Sequence, residues 1–186
     1  MRVSDLTAFD GIERKHLIAY TYPSDEELER VGVTGIFLGY YLPWDGYSNA
    51  LLAQGFGFKT HGDIVEGSIV SYENLDNYQT GIHDYFKFLK FGFGRATDLA
   101  CMHIRRGRIT REDGVQLVKK HDGKFPWTYL GKPLAEILQP LDMTVNEFVA
   151  VCDKFTNRRL FVTDAKGNLV RDKDGNLTKV NYDNVQ

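Results

Sequence analysis

Four cationic side chains, Lys87, Lys90, Arg95 and Arg105, are strung along the run KFLKFGFGRATDLACMHIR, with Gly92 and Gly94 among them. Ammonium and guanidinium groups bind phosphate oxygens through charge-assisted hydrogen bonds. A glycine beside them lets backbone or ligand approach closely. The chemistry these residue types could do is therefore the holding of a nucleotide or sugar phosphate. A glycine-rich phosphate loop is one way to build it. The G-x-G-x-x-G fingerprint, however, needs a preceding strand and a third glycine. Thr97 stands at that third position, and the preceding GIHDYFKFL has helical spacing. The Gly-Lys-Ser/Thr of a P-loop is also absent.

Spacing instead predicts one long helix over residues 80–106. Ile82, Phe86, Leu89, Phe93, Ala96, Ala100 and Ile104 recur at three- and four-residue steps and form one apolar face. Phe88, Phe91, Leu99 and Met102 form a second. Between them runs a polar stripe of Lys87, Lys90, Gly94, Asp98, Cys101 and Arg105, with Arg95 on the Phe88/Met102 side. Two readings of the cations stay open: internal ion pairs, for instance with Asp98, or a wall that faces anions. Trp44 and Asp45 are candidate substrate contacts, because they follow a predicted strand at the end where α/β folds place ligands. Core packing for Trp44 and a turn for Asp45 are the competing readings.

Other constellations are weaker. His83, His103 and His121 have no nucleophile at a useful spacing, so none is assigned as a general base and the catalytic residues stay unknown. Cys101 and Cys152 are far apart and lack a CxxC pattern, which excludes a zinc site or disulfide framework as an expectation. The segment Asp172-Lys-Asp-Gly175 has the start of a calcium loop, but Asp183 stands where the bidentate glutamate belongs. No metal site is expected.

The elements that must position these residues follow from caps and periods. Ser24 and Glu27 spell a capping box before a short helix that Gly32 ends. VTGIFLGYYL, residues 33–42, reads as a buried strand stopped by Pro43. Ser48 opens a short helix. Residues 55–79 are rich in Gly, Asn and Asp and read as irregular. Thr110 with Asp113, and Thr144 with Glu147, begin two further helices, the second with Met143 and Phe148 at staple positions; Pro133 suits the first turn of another. DAKGNLVR and DKDGNLTK are near-copies in tandem, each with Gly-Asn between strand-like residues. The expected fold class is mainly α with a few strands (α+β), divided into a mostly helical portion at 1–160 and a β-hairpin or meander tail at 161–186.

The chain has 186 residues and a formal net charge of −2. Its charge is uneven: ten Lys/Arg stand against four Asp/Glu between Lys87 and Lys124. That cationic centre suits phosphates, while the acidic remainder and the lack of a helix-turn-helix pattern argue against a nucleic-acid partner. No apolar run approaches the ~18 residues of a membrane span, and no signal peptide opens the chain, so no membrane partner and a cytoplasmic location are expected.

GVTGIFLGYYLPWD, YFKFLKFGFGRATDLACMHIRRGRITREDGVQLVKKHDGKFP and FVAVCDKFTN together resemble the C-terminal half of the N-acetyl sugar amidotransferases. These bacterial enzymes of surface-polysaccharide and pseudaminic-type sugar biosynthesis belong to the PP-loop ATP pyrophosphatase superfamily. The likeness covers residues 17–160. It implies the helical C-terminal part of a PP-loop α/β enzyme. The implied activity is ATP-dependent conversion of the N-acetyl group of a nucleotide-linked sugar to an acetamidino group. ATP with magnesium would adenylylate the acetamido carbonyl, and ammonia from a glutaminase partner would displace AMP. The Ser-Gly-Gly-x-Asp-Ser loop of that superfamily is absent here, so ATP binding is expected to need a PP-loop half or a second protomer. The chain is expected to be truncated, split or degenerate, inactive alone, to expose the face that the missing half covers, and to form a homo-oligomer. On this resemblance Lys87, Lys90, Gly92, Gly94, Arg95 and Arg105 are the phosphate candidates. The alternative is a non-catalytic helical interaction module derived from the same family.

Overall fold

The computed structural model describes residues 3–180, which form two units divided between Gly46 and Tyr47. In the first, 3₁₀ turns at Val3–Ala8 and Arg14–Tyr20 precede helix α1 (Asp25–Val31). The α1 capping box is reciprocal, Ser24 with Glu27, and Gly32 closes the helix in the left-handed region at φ 74°. Leu17 is the one fully buried apolar side chain among the described residues of this unit.

The strand expected at 33–42 is not formed. That segment holds a 3₁₀ turn at Leu38–Tyr40 and is otherwise irregular. Its β-branched and aromatic content favours a strand only where a neighbouring strand satisfies the backbone. Among the described residues none pairs with it. Ile36, Phe37, Tyr40 and Tyr41 are left 62–86% exposed.

The second unit is the helical body. Helix α2 (Gly46–Gly55) is followed by irregular chain to residue 79. Then come α3 (Thr80–Phe91), α4 (Arg95–Arg105) and α5 (Arg111–His121). A two-residue hairpin pairs β1 (Thr128–Tyr129) with β2 (Lys132–Pro133), Thr128 opposite Pro133. Helices α6 (Leu134–Leu138) and α7 (Val145–Phe155) complete it. The Thr110/Asp113 and Thr144/Glu147 boxes form as their spacing predicts. The chain is mainly α with a few strands.

The core joins Phe88 and Leu89 of α3, Phe125, Leu134 and Leu138, Phe148 and Cys152 of α7, and Phe161 and Leu177 from the tail. Met143, at its staple position, packs on this cluster. The tail is two tight loops closed by the bridges Thr163–Leu169 and Arg171–Leu177. Asp164 Oδ1 accepts from the backbone N–H groups of Lys166 and Asn168, and Asp172 Oδ1 from those of Asp174 and Asn176. Their carboxylates are thus spent on shaping the loops. Asp183 lies outside the described residues.

The single helix expected at 80–106 is two. Gly92 adopts φ 76° and ends α3, its N–H bonded to Phe88 O at 2.8 Å. Gly94 is extended and starts α4. Apolar spacing carries through the break unchanged, which hides it from a periodicity argument. The break turns Phe91 and Phe93 outward, to 61% and 41% exposure, while Leu89, Ala96 and Ala100 remain buried.

Candidate functional site

The α3–α4 break faces the stretch that follows α5, and a cleft of about 260 Å³ opens between them. Gly94, Arg95 and Asp84 line one side; Lys120, His121, Gly123, Lys124 and Phe125–Tyr129 line the other, with Glu66 and Gly67 beside them.

Asp122 fastens the two sides together. Having no side chain, Gly94 cannot cap α4 itself, and Asp122 does so from 28 residues away. Its Oδ2 accepts from Gly94 N–H at 2.9 Å and from Thr97 Oγ at 2.5 Å. A carboxylate here also meets the positive end of the helix dipole. A Cβ on Gly94 would stand 2.4 Å from Asp122 Oδ1. This glycine is therefore required by a carboxylate of the same chain. At Gly123, φ is 66° and a Cβ would lie 2.1–2.5 Å from Phe88 ring atoms.

Arg95 is held in an ion-pair cluster. Its Nε donates to Asp84 Oδ2 at 3.0 Å and its Nη2 to Asp84 Oδ1 at 3.2 Å; Glu73 Oε2 lies 3.8 Å from Nη1. The Asp84 hydrogen bonds raise Arg95 further above its ordinary range. Burial pushes Glu73 up despite the nearby guanidinium. Burial likewise pushes Tyr85 and Tyr129 up to about 12, so both phenols keep their protons. Burial also raises Glu66, but bonds from backbone groups, including Leu130 N–H at 2.9 Å, and from the Thr128 hydroxyl outweigh it and hold the carboxyl below its usual range.

His121 and its neighbouring lysines differ from these paired groups. His121 Nε2 is shielded from solvent and makes no hydrogen bond among the described residues. Burial first, then Lys120 and Lys124, hold the imidazole below its ordinary pKa. Both lysines are exposed at the lip of the cleft and have no ion-pair partner among the described residues.

The second tail loop fixes the far wall. Phe125 N–H donates to Asn176 Oδ1 at 2.8 Å and Trp127 Nε1 to Asp174 O at 2.6 Å. Gly175 would bring a Cβ to 3.4 Å from both rings. Arg171 pairs with Asp153 and reaches Tyr85 Oη at 3.5 Å; Lys179 donates to Gly92 O at 2.7 Å. From the first loop, Gly167 O accepts from Arg158 and Leu169 packs on the core.

Of the residues singled out in the sequence, Gly94 and Arg95 reach the cleft. Lys87 pairs with Asp98 across the break and lies over the Phe93 ring, and Lys90 lies over the Phe155 ring. Gly92 packs on Leu160, and Arg105 is exposed in the last turn of α4. None of these four lines the cleft. Trp44, 75% exposed, and Asp45 belong to the first unit. Sequence reasoning passed over Lys120 and Lys124, and weighed His121 only as a general base, leaving it unassigned. The signal for them was KKHDGK, a basic run interrupted by the Asp-Gly that ties α5 to α4.

The fold and the cleft define a helical domain in which the Gly94–Asp122 junction opens onto a lysine-rimmed, aromatic-walled site. A family model described as the C-terminal domain of WbpG-like LPS biosynthesis proteins matches residues 66–172, which span α3 to α7, the cleft and the first tail loop. The match covers more than half of the chain, and the chain belongs to this family. Its role lies in polysaccharide biosynthesis. No curated protein sequence matches the chain. Among the described residues no helix is long and apolar enough to cross a membrane.

Proposed function

We propose that this chain is the C-terminal segment of an ATP-dependent amidotransferase that converts the N-acetyl group of a nucleotide-linked sugar to an acetamidino group. The observation that carries the reading is the cleft itself. It offers at its rim ammonium groups without an ion-pair partner among the described residues, and Trp127 as a flat face, inside a family of LPS biosynthesis domains. Phosphates want the first and a nucleobase or sugar ring packs on the second. The net change replaces a carbonyl oxygen with NH: the oxygen leaves on AMP, the ATP's other two phosphates leave as pyrophosphate, and the nitrogen comes as ammonia from a glutaminase partner.

No group of three or more His, Cys, Asp or Glu among the described residues could hold a magnesium ion, and Asp84 and Glu73 already face Arg95. On this reading ATP and magnesium bind a PP-loop half supplied by another chain or protomer. The residues here bind and orient the sugar nucleotide, and Arg95 keeps the α3–α4 corner in place through Asp84. The exposed Ile36, Phe37, Tyr40 and Tyr41 favour a partner surface, and they are also the observation on which a non-catalytic interaction module would rest.

Reconstitution separates the two. The chain is mixed with a PP-loop partner, ATP, magnesium, ammonium and a uridine-diphosphate N-acetyl sugar, and the product is followed by mass spectrometry. Acetamidino product that depends on this chain supports the enzyme reading. A stable complex that turns over equally well without the chain would leave the interaction module.

A further inference from the structure

We propose that Lys120, His121 and Lys124 form a diphosphate subsite at the rim of the cleft. The inference rests on reading this cleft as the substrate site and goes beyond it in naming the groups that hold the substrate's charge.

Three observations converge. First, the chain's other cations near the cleft are spoken for: Arg95 on Asp84 and Glu73, Lys87 on Asp98, Arg171 on Asp153. Lys120 and Lys124 are not, and both line the cleft. Second, His121 Nε2 is a shielded polar atom with no partner among the described residues, on the same lining. Buried polar atoms are nearly always satisfied, so an orphan on a cleft wall marks where an outside group bonds. Third, Lys120, His121 and Lys124 all line the same side of the cleft.

The C-terminal end of a helix does not attract anions through its dipole. The attraction comes from the ammonium groups of Lys120 and Lys124. Asp122, the carboxylate that could oppose them, accepts from Gly94 N–H and Thr97 Oγ1 through Oδ2. A diphosphate matches two separated ammonium groups better than one phosphate does, and Trp127 on the same wall offers a face to whatever the diphosphate carries.

The subsite has a proton signature. Burial first, then Lys120 and Lys124, disfavour the imidazolium of His121 in the free protein. A bound diphosphate offsets their charge, so the imidazolium becomes favoured and a proton is taken up on binding. The other charged groups facing this cleft are Asp122 beside it, Asp84 and Arg95 from the α3–α4 corner, and Glu66 from the opposite loop. Tyr85 and Tyr129 stay protonated throughout. Affinity therefore rises as pH falls through the ordinary histidine range.

The test is calorimetric titration of the full chain with inorganic pyrophosphate and with uridine diphosphate, each in two buffers of different ionisation heat. Both ligands are expected to bind with proton uptake. Lys120→Ala and Lys124→Ala should each weaken binding about tenfold, the scale of one charge-assisted hydrogen bond. Lys119→Ala, which removes the same charge one residue away from the lining, should leave affinity unchanged. His121→Gln should abolish the proton uptake. Tighter binding of uridine diphosphate, lost in Trp127→Ala, would assign the site to the sugar nucleotide; equal binding would assign it to pyrophosphate. No binding, an equal loss in Lys119→Ala, or a heat independent of buffer would overturn the subsite. In the reconstituted enzyme, normal amidation by the Lys120→Ala/Lys124→Ala double variant would strike the subsite alone. Intact diphosphate binding without amidation would strike only the assigned reaction.

Discussion

Removing the Arg95 guanidinium should destabilise the helical body without any ligand present. Arg95 holds Asp84 through two hydrogen bonds of 3.0 and 3.2 Å and sits 3.8 Å from Glu73. The Asp84 side chain is only 12% exposed, so Arg95→Ala strands a mostly buried carboxylate. Breaking a fully buried pair costs about 3–5 kcal/mol. Two features reduce that here. Arg95 itself is 30% exposed, and His83 Nδ1 stays 3.2 Å from Asp84 as a substitute partner. A loss of about 2 kcal/mol remains, with the exposed share discounted. At this chain length that lowers Tm by about 4–8 °C. Thermal melts followed by far-UV circular dichroism measure it. Asp84→Ala and the double variant complete a cycle whose coupling should be about 1–2 kcal/mol. A Tm shift within about 1 °C, or additive single effects, would refute the view that this pair fixes the α3–α4 corner.

Three more outcomes follow from the same geometry. Gly123→Ala forces a Cβ onto the Phe88 ring at positive φ and should cost more than about 2 kcal/mol, whereas Gly131→Ala, at positive φ with nothing within 4 Å, should cost about 1 kcal/mol; urea titrations of both separate clash from backbone strain. Asn176→Ala frees Phe125 N–H and should shift Trp127 fluorescence in a Trp44→Phe background, while Asn168→Ala, which disturbs the equivalent first loop, should not. Because His121 titrates below its unfolded value, the unfolded chain binds its proton first on acidification; its contribution to stability is complete above pH about 6.5 and declines below it. His121→Gln should remove that part of the pH profile, measured by urea midpoints between pH 5 and 8.

The helices were legible in the sequence wherever a local signal sets them. Ser24, Thr110 and Thr144 cap as their spacing predicts, since a capping box involves only residues three apart. The break at Gly92–Gly94 was not, because its cause is distant: Asp122 supplies the missing cap from the end of α5. The 33–42 segment has strand composition but no neighbouring strand among the described residues, and composition cannot supply one. The candidate cations illustrate the same division. Lys87 was recognised as a possible ion-pair former and is one, with Asp98. That Arg95 turns to Asp84, and that His121 and Lys124 line a cleft opposite it, depends on how α3, α4 and α5 pack. The tail's role was illegible for a related reason. Its two loops are near-copies, yet only the second, through Asp174, Gly175 and Asn176, seats on Phe125 and Trp127.

The central claim is that this cleft receives a nucleotide-linked N-acetyl sugar. Titrating the isotope-labelled chain with a uridine-diphosphate N-acetyl sugar, and following backbone and indole NMR signals, tests it directly. The account predicts saturable shifts centred on Gly94, His121, Gly123, Lys124 and the Trp127 indole. Shifts confined to other surfaces, or none at saturating sugar nucleotide, would contradict it.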